Sequence, residues 1–142
     1  MPHLTTSAVL DAPPGPVWTL LRDFAAIGSW HPVLPPAAID DGPVDRVGAV
    51  RVSTGGHRER LIALDDTARS IRYAFEDNGG LPVRDYVSGM RVVAASTQSV
   101  VEWDARYDCD EADEDKVAAA VRDGVLLPGL AALQTRFATE GA

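Results

Sequence analysis

Residues 70–76, Ser-Ile-Arg-Tyr-Ala-Phe-Glu, alternate apolar and polar side chains, and this stretch decides the fold class. Successive side chains of a β-strand point to opposite faces, so Ile71, Tyr73 and Phe75 share one face. Residues 101–107, Val-Glu-Trp-Asp-Ala-Arg-Tyr, repeat the pattern. Strands with one apolar and one polar face are typical of an antiparallel sheet that covers a core on one side only.

Turn-forming residues divide the rest of the chain into further elements. The alternation extends from about residue 37 to residue 108, interrupted by clusters of Gly, Asn, Asp and Ser. Residues 3–11 alternate in the same way and predict a first strand. Prolines then begin a short helix at about residues 14–24, because proline is tolerated in the first turn of a helix. Residues 25–30 predict a further helical turn, which His31-Pro32 ends.

The last segment predicts one long amphipathic helix from Asp110 to about Thr139. Acidic residues crowd its first turn, where the helix dipole favours negative charge, and Pro128 predicts a kink. Its apolar stripe consists of Leu126, Leu130, Leu133 and Phe137. These elements define an α+β fold in which a curved antiparallel sheet of about seven strands wraps the C-terminal helix. No repeat or linker divides residues 1–142, which are expected to form a single domain.

The turns also predict which side chains face the helix. With a two-residue turn at Gly55-Gly56, Val52 pairs with Glu59, which turns Glu59 inward and leaves Arg51 outside. A slip of one residue exchanges the two faces of a strand. In this hairpin we expect such a slip to bring Arg60 inward and to turn Glu59 outward.

Two further loops extend the inward face. A three-residue loop at residues 66–68 pairs Leu61 with Tyr73, and the turn before the last strand pairs Met90 with Trp103. The predicted inward face comprises Val50, Val52, Glu59, Leu61, Ala63, Ile71, Tyr73, Phe75, Tyr86, Ser88, Met90, Val92, Val101, Trp103, Ala105 and Tyr107.

Composition excludes several classes of partner. The net charge of −8 and the absence of a basic segment argue against nucleic acid and against anionic membranes. Lys116 is the single lysine, and Cys109 is the single cysteine. One cysteine forms no internal disulfide, which favours a reducing compartment, and we expect a cytoplasmic protein with no secretion signal and no membrane insertion. The sequence leaves open whether the protein is a homodimer.

The sequence shows no motif for a metal or a cofactor. Three dispersed histidines and one cysteine lack the ligand spacing of a zinc site. The acidic run at residues 108–115 lacks the glycine and the terminal glutamate of a calcium loop. Nucleotide-binding loops and the serine-hydrolase elbow are absent as well. We therefore expect no metal and no cofactor.

Several spaced segments resemble one protein family. Residues 17–24, Val-Trp-Thr-Leu-Leu-Arg-Asp-Phe, followed by Trp30-His31-Pro32, resemble the opening of the polyketide cyclase/dehydratase family of the START-like (SRPBCC) superfamily. Further matching segments are residues 47–51, 59–61, 65–66, 73, 83–86 and 101–103. The resemblance covers essentially the whole chain, and it implies the helix-grip fold.

The resemblance also implies a cavity between sheet and helix that holds a hydrophobic small molecule. Relatives bind lipids, polyketides or plant hormones, and the group includes cyclases, transporters and sensors. Three functions stay open. The protein either binds a hydrophobic ligand, or cyclises or dehydrates a polyketide-like substrate, or serves as an interaction module with a filled cavity.

Glu59 is the candidate catalytic residue, because a carboxylate among apolar groups can act as general acid or base. Arg51 is a candidate partner for a ligand anion, and His31 is a candidate proton shuttle near the cavity mouth. Large aromatic side chains supply most of the apolar area of a pocket. The predicted ligand-binding residues are Trp30, His31, Arg51, Glu59, Tyr73, Phe75, Tyr86, Met90, Trp103 and Tyr107.

Overall fold

One antiparallel sheet of seven strands forms the framework of the computed structural model, which describes residues 2–41, 43–78 and 80–138. The strands are β1 (His3–Leu10), β2 (Ala37–Asp41), β3 (Val50–Ser53), β4 (Arg58–Asp65), β5 (Ser70–Asp77), β6 (Arg84–Ala95) and β7 (Gln98–Asp108). Their spatial order is β1-β7-β6-β5-β4-β3-β2, so β1 pairs with the last strand and every other neighbour is consecutive. The predicted fold class is confirmed.

Two short helices connect β1 to β2. Helix α1 (Pro14–Leu21) begins with proline in its first turn, as the sequence predicts. A 3₁₀ turn (Phe24–Ala26) leads into α2 (Ile27–Trp30). The helix ends at Trp30 because His31 precedes a proline and adopts an extended backbone, with ψ of 131°.

The C-terminal helical run covers the apolar face of the sheet. It consists of a 3₁₀ turn (Glu111–Asp113), α3 (Glu114–Val121), a π-helical turn (Arg122–Leu126) and α4 (Leu127–Arg136). The π-helical turn ends two residues before Pro128, whose ring nitrogen has no hydrogen to donate to the preceding turn. Val117, Val121, Leu126, Leu130 and Leu133 are buried in the core. The predicted end of the helix, Thr139, lies outside the described residues.

By length and composition this helical run, Glu111–Arg136, could cross a membrane. Its buried side chains, however, belong to the same core cluster as the residues of the sheet. The run is therefore the core helix of the fold, and insertion into a membrane is not supported.

Most of the predicted strand register is confirmed. Leu61 pairs with Tyr73, and Met90 pairs with Trp103. The loop between β4 and β5 is longer than predicted, since Asp65 pairs with Ser70. A bulge between Leu61 and Ala63 compensates for the extra residue, so Glu59 and Leu61 face inward as predicted. The prediction for Ala63 is wrong: it is exposed opposite Arg72, and Leu64, opposite Ile71, packs against the core instead.

The predicted register of the β3–β4 hairpin is wrong by one residue. Arg51, and not Val52, pairs with Glu59. The loop is Thr54–Gly56, with three residues, and it is closed by a hydrogen bond from the Ser53 N–H to the His57 carbonyl, 3.0 Å long. Both glycines of this loop have positive φ, of 113° and 95°, which suits residues without a side chain. The faces of β3 are therefore exchanged, whereas Glu59 on β4 still faces inward.

Gly129 on α4 allows the helix to approach the sheet closely. A Cβ atom at this position would lie 2.4 Å from Cζ3 of Trp103 and 2.8 Å from Cδ2 of His31. Both neighbouring side chains are buried, at 0% and 4% exposure, so neither has room to move away.

We predict that Gly129→Ala lowers the free energy of unfolding by about 1–3 kcal/mol, because the added methyl group overpacks this contact. Urea denaturation measures the effect. Gly124→Ala is the matched control, since its Cβ would have no neighbour within 4 Å. The control is expected to be neutral or stabilising by up to about 1 kcal/mol. Equal midpoints for the two variants would contradict the close approach.

Candidate functional site

A cavity of about 420 Å³ lies between the sheet, α2 and the C-terminal helical run. Its described lining residues are Ile27, Leu34, Pro35, Arg51, Ser53, His57, Glu59, Tyr73, Phe75, Gly80, Leu81, Pro82, Tyr86, Lys116, Ala120, Val121 and Val125. Gly80, Lys116 and Ala120 are exposed, so the cavity opens to solvent beside these residues. The opposite end is formed by buried residues of β3–β6 and is called the floor here.

An ion pair between Arg51 and Glu59 forms the polar part of the floor. The guanidinium Nε donates to Oε1 of Glu59 over 3.0 Å, and the two side chains are 3% and 12% exposed. The terminal nitrogen Nη1 donates to the carbonyl of Phe24 over 2.8 Å. The second carboxylate oxygen of Glu59, Oε2, accepts no hydrogen bond from the described residues. That oxygen is an acceptor without a donor in the described part of the cavity lining.

Two aromatic rings enclose the charge of Arg51. Its Cζ lies 4.2 Å from the ring centre of Phe24 and 4.5 Å from that of Tyr73. Burial lowers the pKa of the Arg51 guanidinium, but the Glu59 carboxylate and the Tyr73 hydroxyl raise it by more, so it lies above its ordinary value. The guanidinium therefore stays charged in a dry environment, held by cation–π contacts and one carboxylate.

Phe75 and Tyr86 form a stacked aromatic pair in the lining of the cavity. Their rings stack with centroids 4.1 Å apart and an angle of 12° between their planes. Desolvation raises the pKa of the Tyr86 hydroxyl well above its ordinary value, and the nearby Tyr73 and Glu59 add to the shift. The hydroxyl therefore keeps its proton at neutral pH.

Trp103 lies behind the cavity and not on its surface. It is 0% exposed, and its indole Nε1 donates to the Tyr73 hydroxyl and to the Ser88 hydroxyl, 3.2 Å and 3.1 Å away. Ser88 in turn donates to the carbonyl of Asp104 over 2.7 Å. The prediction that Trp103 lines the cavity is corrected, because Gly129 brings the helix down onto its ring.

Trp30 and His31, placed near the cavity mouth by the sequence, pack in the core beside Trp103, with ring centres 5.9–6.0 Å apart. The N–H groups of Val33 and Leu34 both donate to Nδ1 of His31, so the proton of the neutral ring sits on Nε2. That N–H donates to the Val125 carbonyl over 2.7 Å, within the π-helical turn. His31 thus joins α2 to the C-terminal helix and does not line the cavity.

Met90 and Tyr107 also lie away from this cavity. Met90 is buried on β6 opposite Trp103. Tyr107 stacks behind Tyr86 at a centroid distance of 6.0 Å and borders a separate groove with Glu114. Its hydroxyl is buried without a hydrogen-bond partner among the described residues. Five of the ten predicted residues therefore line the cavity, namely Arg51, Glu59, Tyr73, Phe75 and Tyr86.

Comparison with known proteins places this architecture in a family. Residues 1–138 match the family described as polyketide cyclase / dehydrase and lipid transport. The chain belongs to this family. A solved structure from Thermobifida fusca shares 32% identity with it over 96% of this chain and 93% of that chain, with a TM-score of 0.89. The protein XoxI from Bacillus cereus shares 28% identity over 96% of both chains, with a TM-score of 0.82.

A more distant neighbour shares the fold alone. Norcoclaurine synthase from Thalictrum flavum is 17% identical over 96% of this chain and 93% of that chain, with a TM-score of 0.76. The membership in the polyketide cyclase/dehydrase family is the predicted one. Proteins of this kind commonly bind hydrophobic ligands.

Sequence reasoning missed the side of the cavity that the C-terminal helix provides. Lys116, Ala120, Val121 and Val125 line it, and their spacing of four, one and four residues is that of one helix face. This spacing can be read from the sequence and could have identified the face of the helix that lines the cavity. The apolar stripe that begins at Leu126 predicts the face of the second half of the helix, which packs in the core.

We predict that Arg51→Met lowers the free energy of unfolding by about 3 kcal/mol, because it leaves the Glu59 carboxylate without its partner in a dry floor. Chemical denaturation of both variants measures the effect. The double variant Arg51→Met/Glu59→Gln, which removes both charges, is expected to recover part of the loss. Arg84→Met, at an exposed ion pair with Asp108, is the control and is expected to cost less than about 1 kcal/mol. A double variant no more stable than Arg51→Met would contradict the coupling of the two groups.

We predict that His31 makes stability depend on pH. Desolvation lowers its pKa below the ordinary 6.5, although the hydrogen bond with Val125 opposes the shift. The neutral ring therefore stabilises the fold above about pH 6.5, and this contribution is lost as the pH falls below that value. The unfolding free energy of the wild type should fall more steeply below pH 6.5 than that of His31→Gln, by up to about 1.4 kcal/mol per pH unit. His57→Gln serves as the control, and identical slopes for wild type and His31→Gln would refute the assignment.

Proposed function

We propose that this protein binds a compact hydrophobic small molecule in the cavity between the sheet and the C-terminal helix. The observation that carries the proposal is the form of the cavity, which has the stacked aromatic pair Phe75 and Tyr86 in its lining, a polar floor and an opening to solvent. Pockets for small molecules are mostly apolar, with a few polar groups that fix the orientation of the ligand. Membership in a family described by cyclase, dehydrase and lipid-transport activities supports the same conclusion.

The size of the cavity limits the ligand. About 420 Å³ lies at the lower end of the range for drug-sized ligands, which is roughly 300–1,000 Å³. A molecule of two or three fused rings, or one short aliphatic chain, fits such a volume, whereas a lipid with two long acyl chains does not. We therefore expect a single-ring-system or single-chain ligand.

The floor orients the ligand through hydrogen bonds. Oε2 of Glu59 accepts a hydrogen bond from a hydroxyl or amine of the ligand, because the described residues leave it without a donor. The hydroxyl of Tyr86, which keeps its proton, belongs to the same cavity lining and has a hydrogen-bond partner in Ser88. A ligand with one hydrogen-bond donor at its inner end therefore supplies the donor that the Glu59 carboxylate lacks. A pure hydrocarbon leaves that carboxylate oxygen without a hydrogen bond.

A second candidate function is catalysis on a polyketide-like substrate, with Glu59 as acid or base. The observation that favours it is the same unpartnered oxygen of Glu59, whose side chain lines the cavity together with the phenols Tyr73 and Tyr86. Glu59→Gln distinguishes the two functions, because it would abolish turnover of an enzyme while preserving most of the apolar contact of a binding protein. An interaction module with a filled cavity is disfavoured by the open volume.

The expected environment is the cytoplasm. Its support is the single cysteine, Cys109, which is a buried free thiol on the edge of the core. Burial raises the pKa of this thiol, so it is a structural and not a reactive group.

We predict that the neutral fluorescent probe N-phenyl-1-naphthylamine binds at one saturable site per chain, and that Ala120→Phe weakens this binding about tenfold or more by filling the mouth. Fluorescence titration of the folded protein measures both affinities. Ala119→Phe is the matched control, because Ala119 is exposed on the same helix but does not line the cavity. The absence of saturable binding, or equal binding by the two variants, would overturn the proposed function.

A further inference from the structure

The charges inside the cavity do not balance. Arg51 is neutralised by Glu59 through a direct ion pair at the floor. Lys116 lines the cavity at its mouth. Like Arg51, it is a lining side chain that always carries a positive charge at neutral pH. It forms no ion pair or hydrogen bond with any residue in the described part of the chain. The lining thus holds two permanent cations and one carboxylate.

The helix places Glu114 and Asp115, the two acidic residues directly before Lys116, on a different face from it. Glu114 and Asp115 border the separate groove beside Tyr107, together with Ala118. Lys116 and Ala120, one helical turn apart, line the cavity instead. The two groups of residues therefore lie on different faces of α3, and the carboxylates do not neutralise the ammonium group across the helix.

The surroundings of Lys116 favour an ion pair with a ligand. Its apolar neighbours on the helix face are Ala120 and Val121, and Leu81 and Pro82 line the same cavity from the sheet side. A ligand that fills the cavity removes water from this region, which strengthens a charge-assisted hydrogen bond. The same chain contains no other lysine, so this position alone supplies an ammonium group.

We propose that the ligand is an apolar acid, that is, a hydrophobic molecule whose single anionic group lies at the cavity mouth and pairs with Lys116. This inference rests on the proposed function and adds the charge of the ligand and its orientation in the cavity. The apolar body lies against Phe75 and Tyr86, and the inner end meets Glu59 and therefore carries no negative charge. A second anionic group at the floor would be repelled by that carboxylate.

Two probes that differ by one charge test this inference. 8-Anilino-1-naphthalenesulfonate is N-phenyl-1-naphthylamine with an added sulfonate, which stands in for the ligand anion. Wild-type protein should bind the sulfonate probe about fivefold more tightly than the neutral probe, the ratio expected of one partly exposed ion pair. Added salt should weaken binding of the sulfonate probe and leave the neutral probe unchanged.

Variants at one position assign the preference to Lys116. Lys116→Gln should weaken binding of the sulfonate probe about fivefold and change the affinity for the neutral probe by less than about twofold. Lys116→Arg should retain the preference. Arg122→Gln is the matched control, since it removes one positive charge from an exposed helix position that does not line the cavity.

The outcomes separate this inference from the proposed function. Saturable binding of the neutral probe with no preference for the sulfonate probe would overturn the apolar-acid inference alone. A preference that survives in Lys116→Gln, or that Arg122→Gln removes equally, would overturn it as well, because the net charge of the protein would then be the cause. Loss of all binding by the neutral probe to wild-type protein would overturn the proposed function itself.

Discussion

The buried guanidinium of Arg51 is the constraint around which this end of the fold is arranged. Removing an ion from water costs several kcal/mol unless its charge and its hydrogen bonds are satisfied. The partners that satisfy it come from three elements, namely Glu59 on β4, the ring of Tyr73 on β5, and the ring and carbonyl of Phe24 before α2. The charge therefore fixes the position of the short helices over the outer strands. It also keeps the floor polar, which an apolar side chain at position 51 would not do.

From this floor a series of contacts runs to the C-terminal helix. The Tyr73 hydroxyl accepts from the Trp103 indole, the Trp103 ring packs against Gly129, and His31 binds the Val125 carbonyl. Each of these groups is buried, and each has one arrangement that satisfies its polar atoms. The helix is consequently held close to the sheet near α4 and further away near α3. The cavity is the space that this difference leaves.

The strand pattern and the amphipathic helix were predictable from the sequence, because alternation and helical spacing depend on burial alone. The orientation of Arg51 was not, since Gly55 and Gly56 suit a two-residue and a three-residue loop equally well and only the packing of the strand selects one. On β4 the predicted inward face holds for Glu59 and Leu61 but not for Ala63, because the extra loop residue shifts the pairing next to the loop and only the bulge after Leu61 restores it. The positions of Trp103 and His31 depend on the close approach at Gly129, and a single sequence does not reveal a distance between two elements.

The two halves of the C-terminal helical run differ in what they contribute to the core and to the cavity. The half beyond the π-helical turn packs Gly129, Leu130 and Leu133 into the core, where a change of one methyl group alters stability. The half before it presents Lys116 and Ala120 to the cavity mouth, and both are exposed and make few demands on the core. Substitutions at these two positions can therefore change the charge and the depth of the cavity at little cost in stability. The separation is by position and not by half, because Val117 and Val121 of the first half are buried in the core between these exposed positions.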